Sequence, residues 1–432
     1  MFAEWVEFGA AILCGLLTLI CPGFLLFKVA GFRWFQALVF APIGSVSLCA
    51  ILSILYSLAG ISSSPISLTF FPIVCLIGAL VLIRRFGGKR VCFEGQFEIS
   101  SLSLVLYVAL GIAFAIVYFV KPLDGPSSFL QLYDNAYHLN AITSFVETND
   151  FSSLSVSLYP DMSPSQTPFK AEGAFYPSAW HAEAALIVQL CSCSVPVAVN
   201  ALNFALISVC YPLSFLALMS VLFSGNRKII LYGVVFFLSF SVFPWSFLHI
   251  GPQYPNMAGL LLLPSVVALF LLITQGGKDK RAFVVEVAIF LFLCAGLALI
   301  HPNTIFTAIV FLVPYCVYRI FSVASWSMAK RCFVSVGFLL MVGCVWFAFL
   351  QASFMESVLS VYWKSQYSIG DAIGMALNAS YEKGSSQVLL GLVVVGGILQ
   401  TVIWKKYLWI SDRKSTRLNS SHEIPSRMPS SA

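Results

Sequence analysis

The chain has 432 residues, of which 59% are hydrophobic and only 10% charged. A soluble domain needs roughly a quarter of its residues charged to cover its surface, so this composition excludes a water-soluble globular protein and calls for lipid. The net charge of +6 is divided among short clusters between apolar runs, and none is long enough to track a phosphate backbone, which sets nucleic acid aside as a partner.

A span needs about 20 apolar residues. In chain order, eleven such runs are centred near Leu16, Leu48, Leu76, Leu110, Leu206, Phe236, Ser265, Leu291, Phe311, Leu340 and Val394. The expected fold class is therefore all-α, a polytopic integral membrane protein with about eleven transmembrane helices. The first run, Glu4 to Phe27, lacks a basic n-region and a small-residue cleavage site, so it reads as a retained span and not a signal peptide. The expected organisation is a four-helix membrane segment over 1–120, an extracytoplasmic loop over 121–178, and an interfacial helix with seven further spans over 179–411.

The remainder, 412–432, does not read as native protein. Asp412 to His422 back-translates to a common short-read sequencing adapter, and Ser426 to Ala432 to its next stretch. The gap between them, Glu423 to Pro425, has the length of a sample index. The native sequence is thus expected to be cut near Ile410 or Ser411.

Charge sets the orientation. With the N-terminus outside, alternating connections place Lys28, Arg33, Arg84, Arg85, Lys89, Arg90, Arg227, Lys228, Lys278, Lys280, Arg281, Arg319, Lys330, Arg331, Lys405 and Lys406 inside. Only Lys121, Lys170, Lys364 and Lys383 stay outside. Such asymmetry follows the positive-inside rule and suits a multi-pass membrane protein. One apolar run, Ser178 to Leu190, is too short to cross, and is read as a helix lying in or dipping into the outer interface. The twelve cysteines fall almost all inside apolar runs, as small apolar filler and not as a disulfide framework or metal site.

The longest connection, from Lys121 to about Pro177, faces outward and sits between the fourth and fifth spans. It carries Tyr133-Asp134-Asn135-Ala136-Tyr137-His138, followed by a helical pattern. Asp134 and His138 are four apart and share a helix face, and Asp134 stands where a helix start favours a carboxylate. The loop closes on Phe175-Tyr176-Pro177-Ser178-Ala179-Trp180-His181. Trp180 and Tyr176 equally suit an interfacial aromatic belt, and Glu183 reads either as a site carboxylate or as a snorkelling group. His249, Gln253 and Asn256 lie in the next outward connection, and His301 and Asn303 in another. Ionisable groups gathered at one membrane depth are costly and usually have a role. No zinc-protease, Walker, dinucleotide or nucleophile-elbow signature occurs.

The Tyr-Asp-x-x-x-His segment and the Tyr-Pro-x-x-Trp-His segment before a short helix resemble a group of large bacterial membrane proteins. These in turn are similar to GT-C-type glycosyltransferases, which use polyprenyl-phosphate-linked sugars on the extracytoplasmic face. The resemblance covers roughly Leu123 to Ser224. It implies that Asp134 acts as general base or metal ligand, and it admits a divalent metal; His138, on the same helix face, is expected to support Asp134. It further implies a lipid-linked sugar donor and an envelope glycan acceptor as partners. Tyr137, Tyr176, Trp180, His181, Glu183, His249, Gln253, Asn256, His301 and Asn303 are the expected substrate-binding groups. A glycolipid transporter and a non-catalytic envelope-assembly protein are the competing classes.

Overall fold

The computed structural model describes residues 2–86, 97–157, 175–249, 252–274, 280–351 and 368–377. Among these every regular element is helical. Helices α1 (Phe2–Val29), α2 (Trp34–Leu58), α3 (Ile66–Phe86) and α4 (Ser101–Val120) are followed by two shorter ones, α5 (Tyr133–Thr148) and α6 (Ala179–Cys191). Then come α7 (Val195–Leu222), α8 (Arg227–Gly233), α9 (Tyr254–Ile273), α10 (Lys280–Ile300), α11 (Pro302–Phe321), α12 (Met328–Leu350) and α13 (Ile369–Leu377). Nine helices among the described residues are long and apolar enough to cross a membrane. They coincide with nine of the runs expected from hydropathy. The run centred near Val394 lies outside the described residues.

The run centred near Phe236 departs from expectation, because no continuous helix forms there. Helix α8 stops at Gly233, turns follow, and a helical stretch resumes at Ser241 with Phe243 in an extended conformation and Pro244 inside it. Glycine and proline interrupt the backbone ladder while leaving hydropathy untouched. The broken segment still runs alongside α4. The Tyr107 hydroxyl donates to the Ile230 carbonyl (2.7 Å), and the Tyr118 and Trp245 rings sit 5.2 Å apart eleven residues further on.

By Cα packing the chain forms two units, Met1–Ile309 and Val310–Ala432. The second holds the rest of α11, then α12 and α13. There Ser327 caps α12 by accepting from the Lys330 amide, and Lys330 lies over the Trp326 ring at 4.7 Å. The first unit has its core where α1 and α2 pack antiparallel. Lipid offers no partner to a freed backbone group, so side chains must supply one. Ser45 of α2 accepts from the Gly23 amide (2.8 Å) just after Pro22 in α1. Next to Pro264 in α9, the Ser265 amide donates to the Ser214 hydroxyl (2.9 Å), while Ser214 donates to the Leu262 carbonyl (3.1 Å).

Contacts along α1 reveal how α6 is placed. Glu183 stands beside Thr18 of α1 and Cys49 of α2, Ile187 packs on Gly15, and Cys191 neighbours Cys14. Helix α6 therefore runs opposite to α1, starting inside the bundle and ending towards the end where α1 begins and α2 stops, called here the upper end. Cys49 lies nine residues before Leu58, so Glu183 is sunk by roughly 14 Å at 1.5 Å per residue. The segment expected to lie in or dip into the outer interface is thus packed among other helices, with its residues from Ala179 to Ile187 buried.

The α1–α2 approach is close enough to test. A side chain on Gly23 would collide with the Ala41 carbonyl and the Ser45 amide, whereas Gly9 has nothing within 4 Å. Gly23→Val should lower the melting temperature in detergent or abolish folded yield, since overpacking alone costs about 1–3 kcal/mol. Gly9→Val should leave both unchanged in the same size-exclusion thermostability assay.

Candidate functional site at the upper end

Helix α5 forms because Asp134 supports its first turn and Asn149, left-handed at φ 53°, ends it. Its N-cap is Leu132, with no side-chain cap, so Asp134 acts through the helix dipole and not as a cap. The Asn135 side chain donates to the Leu130 carbonyl (2.9 Å) and ties the preceding turn down. At the far end the Asn149 carbonyl accepts from the Ser63 amide (2.7 Å), and its side chain accepts from Gln189 of α6 (2.8 Å). The segment before α6 is pinned by Ser153, whose carbonyl accepts from the Tyr176 amide (2.9 Å) and whose hydroxyl meets that of Ser178 (2.9 Å).

These anchors bring most of the expected groups together. His138 of α5 is 5% exposed and His181 of α6 fully buried. Their rings share a hydrogen bond, Nδ1 of His138 to Nε2 of His181, at 2.9 Å. Trp180 packs on His138 with ring centres 5.5 Å apart, and its indole N–H donates to the Asn203 side chain at 3.2 Å. Trp180 is therefore a buried wall and not a residue of an interfacial belt. Tyr137 and Tyr176, half-buried and 4.7 Å apart, close over His181, with Tyr176 nearly perpendicular to it at 5.6 Å. Tyr254, at the start of α9, completes the walls against His138 (6.2 Å) and Trp180 (5.6 Å). Sequence reasoning passed over Tyr254 and Asn203. The one available signal was the position of Tyr254 among polar neighbours at the start of a span.

A second string of expected groups lies beside the first. Asn303 donates from its side chain to Asn256 (3.2 Å), and Asn256 donates to Gln253 (3.3 Å). The Asn303 amide donates to Nδ1 of His301 (3.3 Å), and His301 is close enough to depress His138 further. The His249 side chain lies outside the described residues.

Two expected groups stand apart from the histidines. Asp134 is exposed at the mouth, near enough for its charge to act on Tyr176. Burial first, then that carboxylate, pushes the Tyr176 hydroxyl up to about 12, so it stays a neutral donor. Glu183 is 1% exposed, which removes the snorkelling alternative, and the polar side chains beside its carboxyl are Thr18 and Cys49. It borders a cavity of about 10 Å³ with Leu19, Val46, Trp180 and Leu202, space for about one water.

The electrostatics are those of a neutral site. Burial lowers His138 and His301 to about 4 and His181 well below its usual value, with the neighbouring histidines adding to the effect on His138 and His181. Among the described residues no three His, Cys, Asp or Glu side chains are placed to hold a metal ion. The divalent metal that the resemblance admits finds no such ligand set in them.

A histidine that titrates near 6.5 when unfolded and near 4 when folded binds its proton more readily in the unfolded state between those values. Stability is then complete above about pH 6.5 and falls as pH drops towards 4. The melting temperature in nanodiscs should follow that course. In His138→Gln or His181→Gln, whatever their melting temperature at neutral pH, the slope across this window should flatten.

Comparison with known proteins yields one match, to the family of unknown function DUF6541, over residues 16–411. No curated protein and no solved structure matches the chain. The family model spans most of the sequence, and the chain belongs to the DUF6541 family.

Proposed function

We propose that the protein is a membrane glycosyltransferase that uses a lipid-linked sugar on the extracytoplasmic face of the bacterial plasma membrane for envelope glycan assembly. In this reading the upper end faces outward, as the distribution of Lys and Arg implies. One observation supports it most. Asp134 is exposed one helical turn from the buried His138–His181 pair, beside the aromatic cluster of Tyr137, Tyr176, Trp180 and Tyr254. Its carboxylate can take the proton of an acceptor hydroxyl as the glycosidic bond forms. The sugar of a membrane-bound donor lies at that depth, and the aromatic walls suit its ring. His138 holds its place through His181 and supports the carboxylate from behind.

Asp134→Asn keeps the size of the side chain and removes the proton acceptor. Envelope glycans assembled by this protein in its host should fall by about 10²-fold or more, the scale of general-base loss, with normal expression and membrane insertion. Wild-type glycan levels in that strain end the proposal.

A second reading, a glycolipid transporter, draws on Glu183. A carboxyl group buried inside the helix bundle is the kind of group through which ion-coupled transport works. Under that reading Glu183→Gln abolishes the movement of a fluorescent glucosylceramide across proteoliposomes. Unchanged movement in the variant, or none in the wild type, removes it.

A further inference from the structure

Within the histidine cluster one buried polar atom lacks a partner, Nδ1 of His181. Its protonation follows from its neighbours. The Pro252 backbone carbonyl acts on the His138 ring as a hydrogen-bond acceptor. A carbonyl only accepts, and Nδ1 of His138 is turned to His181, so Nε2 of His138 carries the hydrogen. Neutral His138 then has a bare Nδ1, which must receive its hydrogen bond from Nε2–H of His181. Neutral His181 in turn has its lone pair on Nδ1. The opposite arrangement would set a bare Nε2 of His138 against a carbonyl and bury an unpaired N–H on His181, two penalties in place of one.

We infer that Nδ1 of His181 is the acceptor for a hydroxyl of a neutral polyhydroxylated ligand, a sugar ring seated beneath the Tyr137–Tyr176 pair. The ligand class rests on the proposed function; the acceptor atom does not. A bare imidazole nitrogen demands a hydrogen-bond donor, and it repels an anion that brings only lone pairs. Among the groups that meet the His181 ring (Tyr137, His138, Tyr176 and Trp180) none carries a charge at neutral pH. A cationic donor is disfavoured by the same burial that keeps His138 neutral, since both are positive charges in one poorly solvated place. That leaves O–H. Flat aromatic rings match the C–H faces of a sugar, and because Tyr137 and Tyr176 lie directly against the His181 ring, the proposed seat requires both to turn aside.

The test is magnetic resonance on the full chain in phospholipid nanodiscs, with ¹⁵N-labelled histidine at pH 7.5. The His181 signals are identified by their loss in His181→Gln. The probes are octyl β-glucoside below its micelle concentration, octyl phosphate and octylamine. Without probe, His181 should carry its hydrogen on Nε2 with Nδ1 bare. Octyl glucoside should move Nδ1 to a hydrogen-bonded position, and the other two should not. Tyr176→Leu, which removes one wall and leaves the histidines, should weaken that titration about tenfold with the tautomer unchanged. This variant also serves should His181→Gln not fold. A hydrogen on Nδ1 in the probe-free protein overturns the inference, as does no response to glucoside or a response to octylamine or octyl phosphate instead. Loss of the transferase reading through Asp134→Asn leaves a positive glucoside titration standing, and a negative titration leaves that reading to its own assay.

Discussion

Everything at the upper end rests on how closely α1 and α2 approach. Gly23 of α1 faces the α2 backbone at Ala41 and Ser45, and Gly44 of α2 in turn lies against Gly23 and the Phe27 ring. That contact makes a floor for α6, which touches Gly15 and Thr18 on one helix and Cys49 on the other. Were the two helices separated by ordinary side chains, α6 would find no seat below the rim, and Trp180, His181 and Glu183 would stand in lipid or water. Small residues at helix contacts are the membrane's substitute for a hydrophobic driving force. Here they also fix the depth at which polar groups are held.

Depth, in turn, decides chemistry. A carboxyl group stands exposed at Asp134 and buried among helices at Glu183. Histidines that would titrate near neutrality in water are kept neutral by burial and must settle their protons among themselves and nearby backbone. The cluster therefore offers directional hydrogen bonding without charge, flanked at the mouth by one fixed negative charge. Shape and hydrogen-bond direction carry recognition in such a place, since coulombic attraction has little to act on.

The sequence made the long apolar helices plain, because twenty apolar residues in lipid have few structures open to them. The segment around Phe236 escaped because hydropathy reports composition and not continuity, and Gly233 and Pro244 break the helix without lowering it. The site was half legible. The i and i+4 spacing of Asp134 and His138 put them on one helix face, but whether that face looked into the bundle or out of it depends on α6, distant in sequence. Burial accordingly splits the pair. Trp180 suited an interfacial belt by residue type alone, and only Asn203, 23 positions on, makes it a wall. Tyr254 carried only the weak mark of polar neighbours at the start of a span. Its role comes from its packing on His138 and Trp180, far away in the sequence.

The antiparallel seating of α6 on α1 bears on how the protein is made. Helix α6 is too short to be held by lipid across its own length, and its buried face carries a carboxylate and a histidine. It can settle only after the α1–α2 hairpin is already inserted and paired. Its partners on the other side, Tyr254 and the Asn256–Asn303 string, leave the ribosome later still. The pocket is thus a late product of biosynthesis, assembled from pieces spread over some three hundred residues, and until about Asn303 is synthesised its polar groups must wait at the membrane surface.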